Sequence, residues 1–116
     1  MSAHGHSRAD ARNLYLHRAA LANLLGDPAL RERCLSLVTR WLAQPEQRPA
    51  WPYLERWREM LAHWPPERIA PVVLDEEGGQ ALRQCSPLGP ALTPRERWQL
   101  LREINQQLDS GLSDLR

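Results

Sequence analysis

At 116 residues the chain has room for one compact domain with a single apolar core, and too little for two. Its net charge is +1 and all fifteen basic residues are Arg; the absence of Lys excludes Schiff-base, lysine-base and phosphate-loop lysine chemistry. No run of about 18 apolar residues occurs and no apolar signal segment follows Met1, so no membrane partner is expected and the chain reads as cytoplasmic.

Between Ser7 and Leu25, the residues Leu14, Leu21, Leu24 and Leu25 share a face at helical spacing, and Gly26-Asp27-Pro28 closes the segment with turn chemistry. Asp27 is placed to cap a second helix with Pro28 at its first position. Within that helix Leu30, Cys34, Leu37, Val38, Trp41 and Leu42 form the clearest amphipathic stripe of the chain. A polar loop over Pro45 to Pro49 precedes a third helix, opened by Pro52, that bears Leu54, Trp57, Leu61 and Trp64 and is stopped by Pro65-Pro66. Glu67 to Leu74 suits a short fourth helix, although Pro71 removes a donor and Val72-Val73 also suits a strand. Asp75-Glu76-Glu77 favours the positive end of a fifth helix reaching about Gln84. Gly78-Gly79 weakens its start and marks either a close backbone approach or a late helix start.

The last helix opens with a capping box, in which Thr93 and Glu96 bond each other's backbone and Pro94 occupies the first turn. Its apolar face is assigned to Trp98, Leu101, Ile104 and Leu108. Residues 1–8 and 110–116 are read as flexible tails. The expected fold is all-α, a single domain built as a compact bundle of five to six short helices.

Chemistry-bearing patterns are sparse. Cys34 and Cys85 stand far apart with no Cys-x-x-Cys and no companion His spacing, which fits reduced thiols and neither a zinc site nor a secreted disulfide frame. His4 can chelate copper or nickel once Met1 is removed, a property of any such N-terminus, and His6 is read likewise. His17 lies on or beside the stripe of the first helix and His63 near the end of the third, both as hydrogen-bonded boundary histidines. No cofactor and no metal are expected. Ser86 lacks a nucleophile elbow, Cys85 lacks a base, and no His-Glu-x-x-His pattern occurs. The chain therefore reads as non-enzymatic, with a cryptic small enzyme kept as one alternative.

Of the five Trp, most serve as core bulk in a chain without Phe; Trp51, between Ala50 and Pro52 at a loop–helix junction, is the one best placed for a partner. Residues 1–40 carry six Arg against three acids, residues 41–80 four against seven, and the remainder five against four. That mild drift fits a solvated surface better than a phosphate-neutralising face.

The one dense cluster of unusual residues is Leu82 to Trp98, L-R-Q-C-S-P-L-G-P-A-L-T-P-R-E-R-W. It resembles a family of small, uncharacterised, all-helical bacterial proteins with an LRQxSPxxxxLTPxERW motif, some of them encoded in toxin–antitoxin-like gene pairs. Cys85 and Leu88 stand where that family's pattern has a second Ser and a Phe. The resemblance implies a non-catalytic, antitoxin-like partner protein that holds or neutralises another protein, such as a toxin enzyme. Arg83, Gln84, Ser86, Arg95, Arg97 and Trp51 are the candidate partner-binding residues, around a loop stiffened by Pro87 and Pro90. A second account of the motif is structural, with Arg83 bonded to loop carbonyls and Leu88 and Leu92 plugging the core. A DNA-binding regulator is the alternative function, and self-association stays open.

Overall fold

The structure is a computed structural model that describes residues 8–114, with side chains through Ser110. The expectations about His4 and His6 lie outside the described residues. The described residues form six α-helices and no strand: α1 (Arg8–Gly26), α2 (Pro28–Leu42), α3 (Trp51–His63), α4 (Pro66–Val73), α5 (Gln80–Gln84) and α6 (Pro94–Asp114). Two 3-10 turns, Pro45–Ala50 and Gly89–Ala91, link α2 to α3 and α5 to α6. The bundle is all-α, and none of these helices is long and apolar enough to cross a membrane.

Local chemistry sets the helix ends. The Asp27 carboxylate accepts from the Ala29 backbone N–H at 3.0 Å while Pro28 begins α2, where its missing donor costs nothing. At the start of α6 the capping box closes in both directions. Thr93 N–H donates to Glu96 Oε1 at 2.9 Å, and Glu96 N–H donates to Thr93 Oγ1 at 3.1 Å. The bond from the Thr93 backbone first, and second a bond that the Asn23 side-chain amide donates from α1, hold the Glu96 carboxyl below its ordinary range. α6 continues to Asp114, past the Asp109 at which the sequence reading ends it.

The core lies where α2 and α3 pack most extensively against each other, closed by α1 and α4. Cys34, Val38, Leu54, Trp57, Met60, Ile69 and Val73 are all 0 % exposed. Trp57 is satisfied inside it by donating Nε1–H to the Leu82 carbonyl at 2.8 Å. In α4 the helix prevails over the strand because Ile69 and Val73, four apart, then face the core together. The α1 stripe is rotated from the expected one: His17, Ala20, Leu21 and Leu24 are buried and Leu25 is 57 % exposed.

Two arginines bind helix C-termini across the fold. From α2, Arg31 donates to the carbonyls of Leu61 (2.6 Å), Met60 (3.1 Å) and Trp64 at the end of α3. From α5, Arg83 does the same beyond α4. Each places a fixed positive charge at the carbonyl-rich, negative end of a helix.

Candidate functional site

The segment from Gln80 to Arg97 folds back on α1 and holds most of the motif. Arg83 is 5 % exposed. Its Nη1 donates to the carbonyls of Val73 at 2.6 Å and Asp75 at 2.8 Å, and its Nη2 to that of Glu76 at 3.1 Å. As an outward contact for a partner, the Arg83 reading is corrected: the guanidinium is spent on the α4–α5 turn. The structural account holds in kind, since Leu88 and Leu92 are buried, but the bonded carbonyls belong to residues 73–76 and not to the 87–90 loop. Gly79 belongs to the same arrangement. A Cβ there would collide with the Val73 carbonyl oxygen and stand 2.8 Å from Arg83 Nη1. Both readings of Gly78-Gly79 are therefore met, the close approach at Gly79 and a helix that starts only at Gln80.

Beside Arg83 lies a cavity of about 180 Å³, opened toward solvent between α1, α5, the 86–92 segment and the first turn of α6. Asn13, His17, Arg83, Gln84, Ser86 and Arg97 supply its polar lining, and Leu16, Ala20, Leu88 and Leu92 are among the apolar part. The structure thus brings together four of the six candidate residues, Arg83, Gln84, Ser86 and Arg97. Ser86 Oγ accepts the Leu88 N–H at 3.1 Å, which folds the chain over the buried Pro87. Arg97 is exposed, and its guanidinium makes no hydrogen bond or ion pair among the described residues.

His17 was missed as a member of this group. Its Nδ1 lies 2.8 Å from the Asn13 carbonyl oxygen, one turn earlier on α1, and so carries the proton. Nε2 is buried with no partner. Burial, and after it the positive charges of Arg83 and Arg97, pull the imidazole below its ordinary range, against the opposing pull of the Asn13 bond. The available signal was a polar residue on a buried stripe at i, i+3, i+4 and i+7 with Ala20, Leu21 and Leu24.

Arg95 and Arg97 part company. Two residues on a helix are about 200° apart, so Arg97 follows the line of the apolar stripe toward the cavity while Arg95 faces away. Arg95 borders a groove of about 460 Å³ with Trp98, Gln99, Arg102, Glu103 and Gln106. Trp98, assigned from sequence to the apolar face, is 61 % exposed, with the Arg102 guanidinium 4.7 Å from its ring centroid. At about 100° per residue, Leu100, Leu101, Ile104 and Leu108 share an arc of about 100° and Trp98 falls outside it. Leu100 packs on the core and Ile104 is buried.

Trp51 is the reverse case. The expectation of an outward Trp51 is corrected: its ring is half-buried against the core, its Nε1–H is buried without a partner, and Arg48 covers it at 5.3 Å. Both thiols are held protonated by burial, Cys34 with its pKa pushed up to about 11 and Cys85 also raised, which makes each a poor nucleophile. No group of His, Cys, Asp and Glu that could hold a metal ion occurs among the described residues. No family profile, curated protein sequence or solved structure matches the chain.

Proposed function

We propose that this chain is a non-catalytic interaction protein, antitoxin-like, that holds or occludes a partner protein through the outer face of α6. The observation that carries the reading is Trp98: a large aromatic, 61 % exposed on a well-capped helix, with an arginine on its face. Trp and Arg are the residues most enriched where interfaces concentrate their binding energy. Stacking holds both side chains in place before docking, which lowers the entropy lost on binding. Arg95 and Arg102 give the groove a positive cast, so the matching partner surface is acidic. The resemblance of residues 82–98 to proteins of toxin–antitoxin-like gene pairs supports a toxin enzyme as that partner.

The test compares capture by the tagged wild-type chain and by Trp98→Ala from the native host at moderate salt. One stoichiometric protein, lost with Trp98→Ala although the variant melts like wild type, is the expected result. Capture indifferent to Trp98→Ala would reject this face. Recovery of nuclease-sensitive DNA alone would favour a DNA-binding regulator.

A further inference from the structure

The acids and the arginines of α6 are engaged differently. Its carboxylates through Ser110 are all held within the fold: Glu96 accepts the Thr93 N–H at 2.9 Å and the Asn23 amide at 3.3 Å, Glu103 accepts the Tyr15 hydroxyl at 2.9 Å, and Asp109 pairs with Arg8 at 3.0 Å. Arg95 and Arg102 are exposed, and no ion pair joins either to a carboxylate among the described residues. With Trp98 they stand at i, i+3 and i+7, an arc of about 60° on the helix. The groove of about 460 Å³ beside them is lined by α6 alone, and its one carboxylate is the half-buried Glu103.

We propose, resting on the reading of α6 as the partner face, that the partner covers it with an acidic amphipathic helix, two carboxylates seven residues apart meeting Arg95 and Arg102 and an apolar side chain between them lying on Trp98.

The backbone of α6 selects a helix as the occupant. Its own ladder uses the donors and acceptors along this face, so nothing there pairs with the backbone of an extended segment. A strand laid across the indole would leave its peptide groups without partners, whereas a helix satisfies its own and is dehydrated at less cost. The spacing of the charges follows. Arg95 and Arg102 are two turns apart, about 10.5 Å along the axis, and a helix packed at ~20° to α6 presents its residues i and i+7 at the same interval. A carboxylate at each of those positions meets one guanidinium in a charge-assisted contact. The residue at i+3 or i+4 then falls over Trp98, where Leu, Met or Phe removes from water the part of the ring that Arg102, 4.7 Å from its centroid, leaves open. Exposed charges of one sign on this face also repel a basic partner, so the pair of arginines chooses as well as attracts.

Fluorescence anisotropy of a labelled peptide with the full chain tests this. The probe is a capped, Ala-rich peptide of about twenty residues, long enough to be helical alone, with two Glu seven apart and Leu three positions after the first. Saturable binding is expected, weakening as salt rises, because exposed charges are screened. Moving one Glu by two positions carries it ~200° around the peptide helix and should weaken binding at least threefold. The double variant Arg95→Glu with Arg102→Glu should weaken it at least tenfold, melt like wild type, and bind instead the peptide with Lys in place of both Glu. If that variant melts early, Arg95→Gln with Arg102→Gln decides the matter. No saturable binding, or binding indifferent to the Glu spacing or to loss of the two arginines, overturns the proposal. Capture from the native host separates it from the reading on which it rests. A protein lost with Trp98→Ala but kept by the double charge variant retains the face and rejects the acidic helix, and capture indifferent to Trp98→Ala rejects both.

Discussion

The two helix pairs that frame this bundle are joined by different physics. α2 and α3 meet through side chains withdrawn wholly from water, among them Cys34, Val38, Leu54 and Trp57 at 0 % exposure. α1 and α6 meet through polar groups ranged along their lengths. Arg8 pairs with Asp109 at 3.0 Å, Arg12 Nε donates to Asn105 at 2.8 Å, and the Tyr15 hydroxyl donates to Glu103 at 2.9 Å. Nearer the start of α6, Asn23 donates to the Ala91 carbonyl at 2.8 Å and to Glu96 at 3.3 Å. The apolar pair supplies free energy in proportion to the area it removes from water. The polar pair gains little per bond, because water satisfies the same groups when the helices part, but it sets the register of α6. Both the cavity beside Arg83 and the Trp98 groove hang on that register.

The sharpest way to break this contrast is at Trp57. Trp57→Ala should cost about 3–5 kcal/mol and also take the indole donor from the Leu82 carbonyl, seen as a large fall in the urea midpoint. Arg83→Ala should follow at about 3 kcal/mol, since three buried hydrogen bonds to the carbonyls of Val73, Asp75 and Glu76 are lost, and Arg83→Lys should not restore it, because an ammonium cannot span them as a guanidinium does. On the polar side, a double-mutant cycle of Arg12→Ala and Asn105→Ala should return a coupling of about 1 kcal/mol. A value near that for a core pair would erase the distinction drawn here.

Acid supplies a smaller perturbation of the same region. His17 is held below its ordinary 6.5 in the folded chain, first by burial, so the unfolded chain takes up the proton more readily. The stability it contributes is whole above about pH 6.5 and is lost as pH falls below that toward the folded-state value. The urea midpoint should therefore drop between about pH 7.5 and 5.5, and less so in His17→Gln. The smallest effect belongs to Trp98→Ala, within about 0.5 kcal/mol of wild type, as for surface substitutions in general. A cooperative loss of structure there would place Trp98 inside after all.

Much of the architecture was legible because it is local. Asp27 with Pro28, and Thr93 with Glu96, act over two or three residues, and the structure returns the same bonds. The core of α2 and α3 was equally plain, because Cys34 and Val38, and Leu54, Trp57 and Leu61, recur at the helical period. The candidate site was legible only as a neighbourhood. Arg83, Gln84, Ser86 and Arg97 do converge, but the group that completes their cavity, His17, is 66 positions from Arg83.

Composition, punctuation and caps thus determined that this chain forms an all-α bundle, and where most of its helices begin and end. They could not determine which arginine goes inside. Arg83 and Arg97 stand in one motif, yet one is enclosed by carbonyls and the other is exposed at a cavity mouth, because only the packing of α4 against α5 puts the carbonyls of Val73, Asp75 and Glu76 within reach of the first. Trp51 and Trp98 diverge for the same reason. Helical periodicity states which residues share a face, and only the neighbouring helices decide whether that face is covered.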